Sequence, residues 1–232
     1  KELRLPFGVD ITINKHIPVF SGLGGGSSNA ATTLLGLNQL WGLSLSKSQL
    51  LNYARKIGSD VAFFVQKESF AIGRGRGERI QPLKKIKPLW HILVVPDIRL
   101  STAEAYKRIE ILRRKKSARI STDTKMLTKI GYNVNILIHA LRGHDLSLLS
   151  SCLFNDFSEP LFRTYPGLFK LNDRLTELGV MGGSFSGKGP SIFGLTSSRK
   201  EAREIKNRLV KERQRVFVVK TFPVHGLKLS KI

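Results

Sequence analysis

A short run of glycines and hydroxyl residues is the first feature of this sequence that could do chemistry. Residues 22–28 read Gly-Leu-Gly-Gly-Gly-Ser-Ser, so four of the first five residues are glycine. Glycine has no Cβ, which lets the backbone approach a ligand closely. Amide N–H groups in such a loop, together with the start of a following helix, can hold phosphate oxygens. The hydroxyls of Ser27 and Ser28 can add hydrogen bonds or reach a metal ion on the phosphates. The pattern therefore predicts a phosphate-binding loop.

Two common classes of nucleotide-binding loop do not fit this run. No Gly-Lys-Ser/Thr ends it, so it is not a Walker A loop. It also lacks the Gly-x-Gly-x-x-Gly spacing and the acidic residue about 20 positions later that dinucleotide folds require.

Asp60 is the candidate for acid–base chemistry. It stands between a predicted helix that ends near Gly58 and an apolar run over 61–65, where a carboxylate can lie at the edge of a cleft. A kinase that phosphorylates an alcohol needs a group that orients the hydroxyl and accepts its proton. From the sequence alone, Asp60 could equally be a turn or capping residue.

A second glycine-rich turn, residues 186–191, reads Ser-Gly-Lys-Gly-Pro-Ser. Its Lys188 could contact a phosphate directly or point to solvent, and the sequence leaves both open. Tyr106 and Phe157 are expected to serve packing rather than stacking on a substrate. The five histidines have no metal-ligand spacing, and the single Cys152 excludes an internal disulfide and a thiolate-built metal centre, so no protein metal site is predicted.

The elements around these residues follow from hydrophobic periodicity and capping signals. An apolar helical face begins at Ala30 and continues to Trp41, and a capping box at Ser46 and Gln49 opens a second helix. A third signal, the capping box at 101–104, opens a short helix. We further predict strands at 8–17, within 69–83, at 90–95, 179–185, 191–195 and 215–221, and helices at 133–141, 145–153, 167–178 and 198–213.

The order of the C-terminal elements is helix, strand, turn, strand, helix, strand, which is typical of the second part of a ferredoxin-like α+β unit. Residues 111–129 are basic with little periodicity, and we interpret them as a mobile loop and a domain boundary. The expected domains are 1–110 and 111–232.

Composition narrows the class of partner. The chain has 232 residues and a net charge of +22, from 39 basic and 17 acidic side chains. Such a charge favours nucleic acid, acidic lipid or phosphorylated small molecules. No apolar run is long enough to cross a membrane and no signal peptide is evident, so we expect no membrane partner and a cytoplasmic location, where a lone cysteine stays reduced. Oligomeric state stays open.

Residues 18–31, Pro-Val-Phe-Ser-Gly-Leu-Gly-Gly-Gly-Ser-Ser-Asn-Ala-Ala, resemble the ATP-phosphate motif of the GHMP kinases. Four further segments agree with that family: 58–64, 75–78, 101–106, and 155–157 followed by Tyr165-Pro166. The resemblance implies an α+β GHMP kinase fold. It comprises a first domain like domain 2 of ribosomal protein S5 and a ferredoxin-like second domain.

The same resemblance implies a site and a reaction. Asp60 would be the catalytic base, and ATP with Mg²⁺ would be the cofactors. The version of the motif is most similar to family members that phosphorylate the 2-hydroxyl of 4-diphosphocytidyl-2-C-methyl-D-erythritol in non-mevalonate isoprenoid synthesis. The implied ATP-binding residues are Pro18, Val19, Phe20, Ser21, Gly22, Leu23, Gly24, Gly25, Gly26, Ser27, Ser28, Ser186, Gly187, Lys188 and Gly189.

The sequence departs from the family pattern at several points. Lys188 replaces the usual serine of the third motif, and Ala62 replaces a proline beside Asp60. The family's Pro-Ala-Lys-Ile-Asn strand and Asp-Gly-Tyr-His segment do not occur, so we expect an N-terminally truncated kinase with little activity alone. Another GHMP kinase activity, or a basic nucleic-acid-binding module, stays an alternative, although no aromatic-interleaved basic strand supports the latter.

Overall fold

Three helices and a hairpin form the N-terminal part of the protein. The computed structural model describes residues 8–66, 68–100, 103–107, 110–111 and 133–222. Helices α1, α2 and α3 pack through a small apolar core made by Ala31, Leu50, Ala54, Val61, Ala62 and Val65. Strands β1 and β2 pair antiparallel, with Phe70 opposite Leu83. The element bounds are α1 Gly25–Leu40, α2 Lys47–Ile57, α3 Val61–Gln66, β1 Phe70–Arg74 and β2 Arg79–Leu83.

A four-stranded antiparallel sheet organises the rest of the described chain. Its strand order is β4-β5-β3-β6. When these four strands are numbered along the chain, the order is 2-3-1-4, which is that of a ferredoxin-like sheet. The ferredoxin-like prediction is therefore confirmed. The strands are β3 Trp90–Val94, β4 Gly183–Phe185, β5 Ile192–Thr196 and β6 Val216–Lys220.

Residues 103–107 are helical, in agreement with the short helix predicted there, and five further helices accompany the sheet in the described part of the chain. They are α4 Val134–Gly143, α5 Leu146–Ser151, α6 Ser158–Thr164, α7 Pro166–Glu177 and α8 Arg199–Lys211. Both α7 and α8 pack on the sheet, and the apolar core between these helices and the sheet is the largest among the described residues. Its fully buried members include Ile92, Leu168, Leu175, Ile192 and Leu209. A separate cluster under α4 and α5 joins Leu141 and Leu149 to Leu89 and Leu195.

Central strand β3 lies before the boundary predicted at residue 110, yet it pairs with both β5 and β6. The sheet is thus assembled from residues on both sides of that position. The predicted loop at 111–129 lies outside the described residues, apart from residue 111.

The strand predicted at 8–17 is wrong. The described residues 8–17 form no strand, and Val9, Ile11 and Ile13 are exposed, with Ile13 at 54%. Alternating side chains alone do not make a strand, because the backbone groups need a neighbouring strand, and none of the strands in the described ranges pairs with this segment. Within those same ranges, no helix combines the length and apolar character needed to cross a membrane.

Candidate active site

The predicted phosphate loop is the first turn of a helix. The sequence placed the helix start at Ala30, but α1 begins at Gly25, because the Ser28 N–H already donates to the Gly24 carbonyl at 2.9 Å. Glycine's poor helix propensity hid this start. The first amides of a helix have no partner within it, and the first turn of α1 carries no acidic side chain. This end of α1 therefore presents positive charge and N–H donors.

Close packing explains two of the glycines in this turn. Gly24 has a φ of +65°, and a Cβ there would lie 3.0 Å from the Phe64 ring. At Gly25, a Cβ would come within 3.1 Å of the Ile17 side chain. At Gly26, by contrast, a Cβ would meet nothing within 4 Å. Gly26 thus lies against open space, which is where a ligand could approach the backbone.

The second glycine-rich turn contacts the first one directly. The Ser186 hydroxyl donates to the Gly22 carbonyl at 3.0 Å, and the Ser191 N–H donates to the Ser21 carbonyl at 3.3 Å. At Gly22, whose φ is +76°, a Cβ would collide with the carbonyl oxygens of Ser186 and Gly189. The buried Ser21 is itself fixed by a 2.6 Å hydrogen bond from its hydroxyl to the Pro18 carbonyl.

These two turns border a cavity of about 630 Å³. Asp60, exposed at the connection between α2 and α3, lies on its wall. The structure thus brings most of the predicted site residues together. Those that line the cavity are Pro18, Val19, Phe20, Ser21, Gly22, Leu23, Gly24, Gly25, Gly26, Ser27, Asp60, Gly187 and Lys188.

Three of the predicted binding residues are not on the cavity wall but support it. The Ser28 hydroxyl donates to the Gly25 carbonyl at 3.0 Å, inside the first turn of α1. Ser186 joins the two turns as described, and the Gly189 N–H donates to the Ser186 carbonyl at 2.9 Å. These residues shape the backbone that borders the cavity.

Three cavity residues were outside the predicted binding set. Lys15 lies beside α1, where the Asn29 side chain accepts from Lys15 Nζ at 3.0 Å and donates to the Gly25 carbonyl at 3.2 Å. In the alternating segment 8–17, Lys15 falls on the same face as Ile13 and Ile17, and a lone cation on that apolar face was the signal that could have identified it. Tyr106 and Phe157 also line the cavity, with ring centroids 5.3 Å apart in an edge-to-face arrangement. Tyr106, which was expected to serve packing, contacts Phe157 and is 59% exposed.

The charges on the wall favour an anion. Among the described residues that line the cavity, Lys15 and Lys188 are the cationic side chains and Asp60 is the carboxylate. Partial burial lowers the pKa of Lys188 below its ordinary value, which reflects the cost of holding an ammonium group away from water. A phosphate beside Lys188 would offset that cost.

Comparison with known proteins agrees with this geometry. The profile of the GHMP kinases N terminal domain matches residues 1–68, and that of the GHMP kinases C terminal domain matches residues 137–215. A crystal structure of 4-(cytidine 5'-diphospho)-2C-methyl-D-erythritol kinase superposes with a TM-score of 0.69 at 30% identity, covering 89% of this chain and 68% of that one. A homoserine kinase from Cytophaga hutchinsonii shares the fold, with a TM-score of 0.68 at 21% identity over 90% of this chain and 68% of the other.

Curated relatives extend the match over nearly the whole chain. A protein of Pelotomaculum thermopropionicum is 33% identical over 93% of this chain and 70% of its own length. One of Geobacillus kaustophilus is 36% identical over 92% of this chain and 68% of its own length. Both bear the name 4-diphosphocytidyl-2-C-methyl-D-erythritol kinase. Because two family profiles match the chain and these relatives are more than 30% identical to it over most of both lengths, this chain belongs to the GHMP kinase family of small-molecule kinases.

Proposed function

We propose that this protein transfers the γ-phosphoryl group of ATP to the 2-hydroxyl of 4-diphosphocytidyl-2-C-methyl-D-erythritol. The observation that carries the proposal is the single cavity shared by the start of α1, Asp60 and the Tyr106–Phe157 pair. It combines a phosphate site, a proton acceptor and an aromatic surface. The names of the two curated relatives identify the substrate.

The phosphates of ATP belong at the first turn of α1 in this proposal. The amides of Gly25, Gly26 and Ser27 point out of the helix start, and the helix dipole favours an anion there. Lys188 and Lys15 stand on the same wall and add positive charge. The implied binding set is therefore a backbone cradle supported by two lysines.

Mg²⁺ fits this donor set as a companion of the nucleotide. Among the described residues, no group of three His, Cys, Asp or Glu side chains could hold a metal ion by itself. Magnesium beside a nucleotide commonly uses phosphate oxygens with one or two side chains, and the cavity offers Ser27 and Asp60. When bound, the ion would neutralise charge on the phosphate oxygens.

Asp60 orients the acceptor hydroxyl and takes its proton. A bond forms between that hydroxyl oxygen and the γ-phosphorus, and the bond from the γ-phosphorus to the β–γ bridging oxygen breaks, so ADP leaves. Negative charge on the transferred group is met by the α1 amides and the lysine side chains. Positioning and charge stabilisation account for most of the rate in such reactions.

The aromatic pair suits the cytosine end of the substrate. Tyr106 presents more than half of its surface, and Phe157 meets it at an interplanar angle of 84°. A planar base can stack on one exposed ring face while the other ring holds its orientation. Truncation of Tyr106 should therefore weaken binding of the cytidine portion specifically.

Replacement of Asp60 tests the proposal. In the full gene product, we expect Asp60→Asn to bind a non-hydrolysable ATP analogue normally and to lose about 10²–10⁴-fold in kcat, because the amide keeps the shape but cannot accept the proton. Asp97→Asn, at an exposed aspartate away from this cavity, is the matched control and should keep wild-type turnover. A coupled ADP-release assay measures both.

A substrate panel separates the proposed reaction from those of other GHMP kinases. Turnover with homoserine, mevalonate or galactose, and none with the cytidine diphosphate substrate, would reject the assigned substrate while keeping the kinase. Wild-type turnover by Asp60→Asn would reject Asp60 as the base.

A cytoplasmic location, which suits a single unpaired cysteine, is part of the same proposal.

A further inference from the structure

Asn155 connects two parts of the cavity wall without lining the cavity itself. Its Nδ2 donates to the Phe185 carbonyl at 2.9 Å and to the Gly187 carbonyl at 2.8 Å. Its Oδ1 accepts from the Phe157 N–H at 2.9 Å. Both amide hydrogens and the amide oxygen are therefore engaged. One side chain fixes the turn that carries Lys188 and the backbone that carries Phe157.

The opposite side of the same turn is held by the first glycine loop. The Ser186 hydroxyl donates to the Gly22 carbonyl, and a Cβ at Gly187 would lie 3.1 Å from that same oxygen. The turn is thus gripped from two directions, by Gly22 on one side and by Asn155 on the other. Small rotations of its peptide groups would break at least one of these contacts.

The peptide that joins Gly187 to Lys188 links this grip to the ligand. A trans peptide is planar, and its N–H points opposite to its C=O. Asn155 holds the Gly187 carbonyl and is not itself a lining residue, whereas Gly187 and Lys188 line the cavity, so the Lys188 N–H points away from Asn155. An amide fixed in that direction can donate to an anion without reorganising.

We propose that Asn155 is a positioning residue that aims the Lys188 backbone amide at a phosphate oxygen of the bound nucleotide. The inference rests on the proposed function, since it needs ATP in this cavity. It assigns a role to a side chain that touches neither the nucleotide nor the acceptor alcohol. Asn155 acts through the turn and through Phe157.

Two variants test this role in the full gene product. Asn155→Ala removes all three hydrogen bonds, and Asn155→Asp keeps the acceptor for Phe157 but places a carboxylate against two carbonyl oxygens. Loss of one well-placed hydrogen bond to a charged group corresponds to roughly 10- to 100-fold in affinity. We expect both variants to lose that much affinity for a non-hydrolysable ATP analogue in calorimetry, and to change by less than about 2-fold toward adenosine.

Asn38 is the matched control. Its Oδ1 accepts the Leu45 N–H at 2.9 Å and its Nδ2 donates to the Leu45 carbonyl at 3.4 Å, between α1 and α2 and off the cavity wall. Asn38→Ala should lower the melting temperature as Asn155→Ala does and keep wild-type affinity for the ATP analogue. In steady state, Asn155→Ala should raise KM for ATP, whereas a merely structural loss would lower the active fraction at unchanged KM.

Hydrogen exchange gives a readout that needs no variant. The ATP analogue should slow exchange of the Lys188 amide in the wild-type protein, and adenosine should not. Equal exchange with the analogue and with adenosine overturns the inference. So does an Asn155→Ala protein that folds and binds the analogue with wild-type affinity, or one whose affinity for adenosine falls as much as its affinity for the analogue. A wild-type protein that does not bind the analogue at all would overturn the proposed function, and this inference with it.

Discussion

His91 is a titratable residue in an apolar setting. It lies on β3, its ring meets Phe193 edge to face at 5.9 Å, and its buried Nδ1 has no hydrogen-bond partner among the described residues. Burial lowers the pKa of the His91 imidazole to about 4. The folded protein therefore holds this side chain neutral at a pH where an unfolded chain would begin to protonate it.

The free energy of unfolding should decrease as the pH is lowered, because of His91. The unfolded chain binds the proton near pH 6.5, above the folded pKa, so the free energy of unfolding decreases as pH drops from 6.5 toward 4. The His91 contribution to the difference between pH 7.5 and pH 5 is about 2 kcal/mol. Urea unfolding at both pH values should show this loss in the wild-type protein and not in His91→Phe.

A second histidine provides the control for that experiment. His139 is exposed on α4, and His139→Gln should keep the wild-type pH difference. If His91→Phe also keeps the full difference, the imidazole of His91 is not the group responsible.

Two glycines of α1 allow the effect of a substitution on helix stability to be measured apart from its effect on ligand binding. Gly26 and Gly36 both lie within α1, and a Cβ on either would meet nothing within 4 Å. Alanine in place of either should raise the free energy of unfolding by about 0.5–1 kcal/mol, because it lowers the entropy of the unfolded chain. Gly26 lines the cavity, and Gly36 does not.

Only the change at Gly26 should affect the nucleotide. We expect Gly26→Ala to weaken the ATP analogue at least about 10-fold, since the methyl group would enter the space in which the phosphates meet the α1 amides. Gly36→Ala should bind as the wild type does. Thermal unfolding and calorimetry on both proteins measure the two effects, and equal affinity in both variants would contradict the backbone cradle.

Local signals predicted the elements that satisfy their own backbone groups. The capping box at Ser46 and Gln49 is present and opens α2 as expected. The prediction for 8–17 failed because a strand needs a neighbouring strand, which alternation along the chain does not reveal, and none of the described strands pairs with this segment. Helix α6 was not predicted, since its seven residues are too few to show a period and include Pro160. The start of α1 was missed because glycine, with its poor helix propensity, fills the first positions of that helix.

The site could be predicted as far as its residues belong to local motifs. The motif over 18–28, Asp60 and the 186–189 turn were found from such motifs and from the family resemblance, and the structure places most of these residues on one cavity wall. Tyr106 and Phe157 come from segments 51 residues apart, and their meeting depends on how β3 is paired in the sheet. The domain division at residue 110 stays a prediction, and the pairing of β3 is a reason to look for the boundary before Trp90.

At the scale of the whole molecule, Gly22 marks where the N-terminal helices meet the C-terminal sheet unit. We expect Gly22→Ala to lower the free energy of unfolding by about 2–4 kcal/mol, because the methyl group is strained at a positive φ and collides with the 186–189 turn. Gly42, with a φ of +58° and open space around it, is the control. Gly42→Ala should cost only about 1 kcal/mol.

Urea unfolding distinguishes these two costs. If Gly22→Ala and Gly42→Ala lose the same free energy, the turn–turn contact adds nothing and only backbone strain matters. If Gly22→Ala instead unfolds in two separate transitions, the contact is what makes the two parts unfold together.

Because the two glycine turns contact each other, a ligand that binds both of them should stabilise the whole fold. A molecule that binds both the 22–28 turn and the 186–189 turn stabilises the interface between the N-terminal helices and the sheet unit by its binding free energy. Its melting-temperature shift should follow saturation of the cavity. A fragment that binds one turn alone would stabilise only the part of the protein that contains that turn. The shift in melting temperature can therefore distinguish inhibitors that contact both turns from those that contact one, before any turnover is measured.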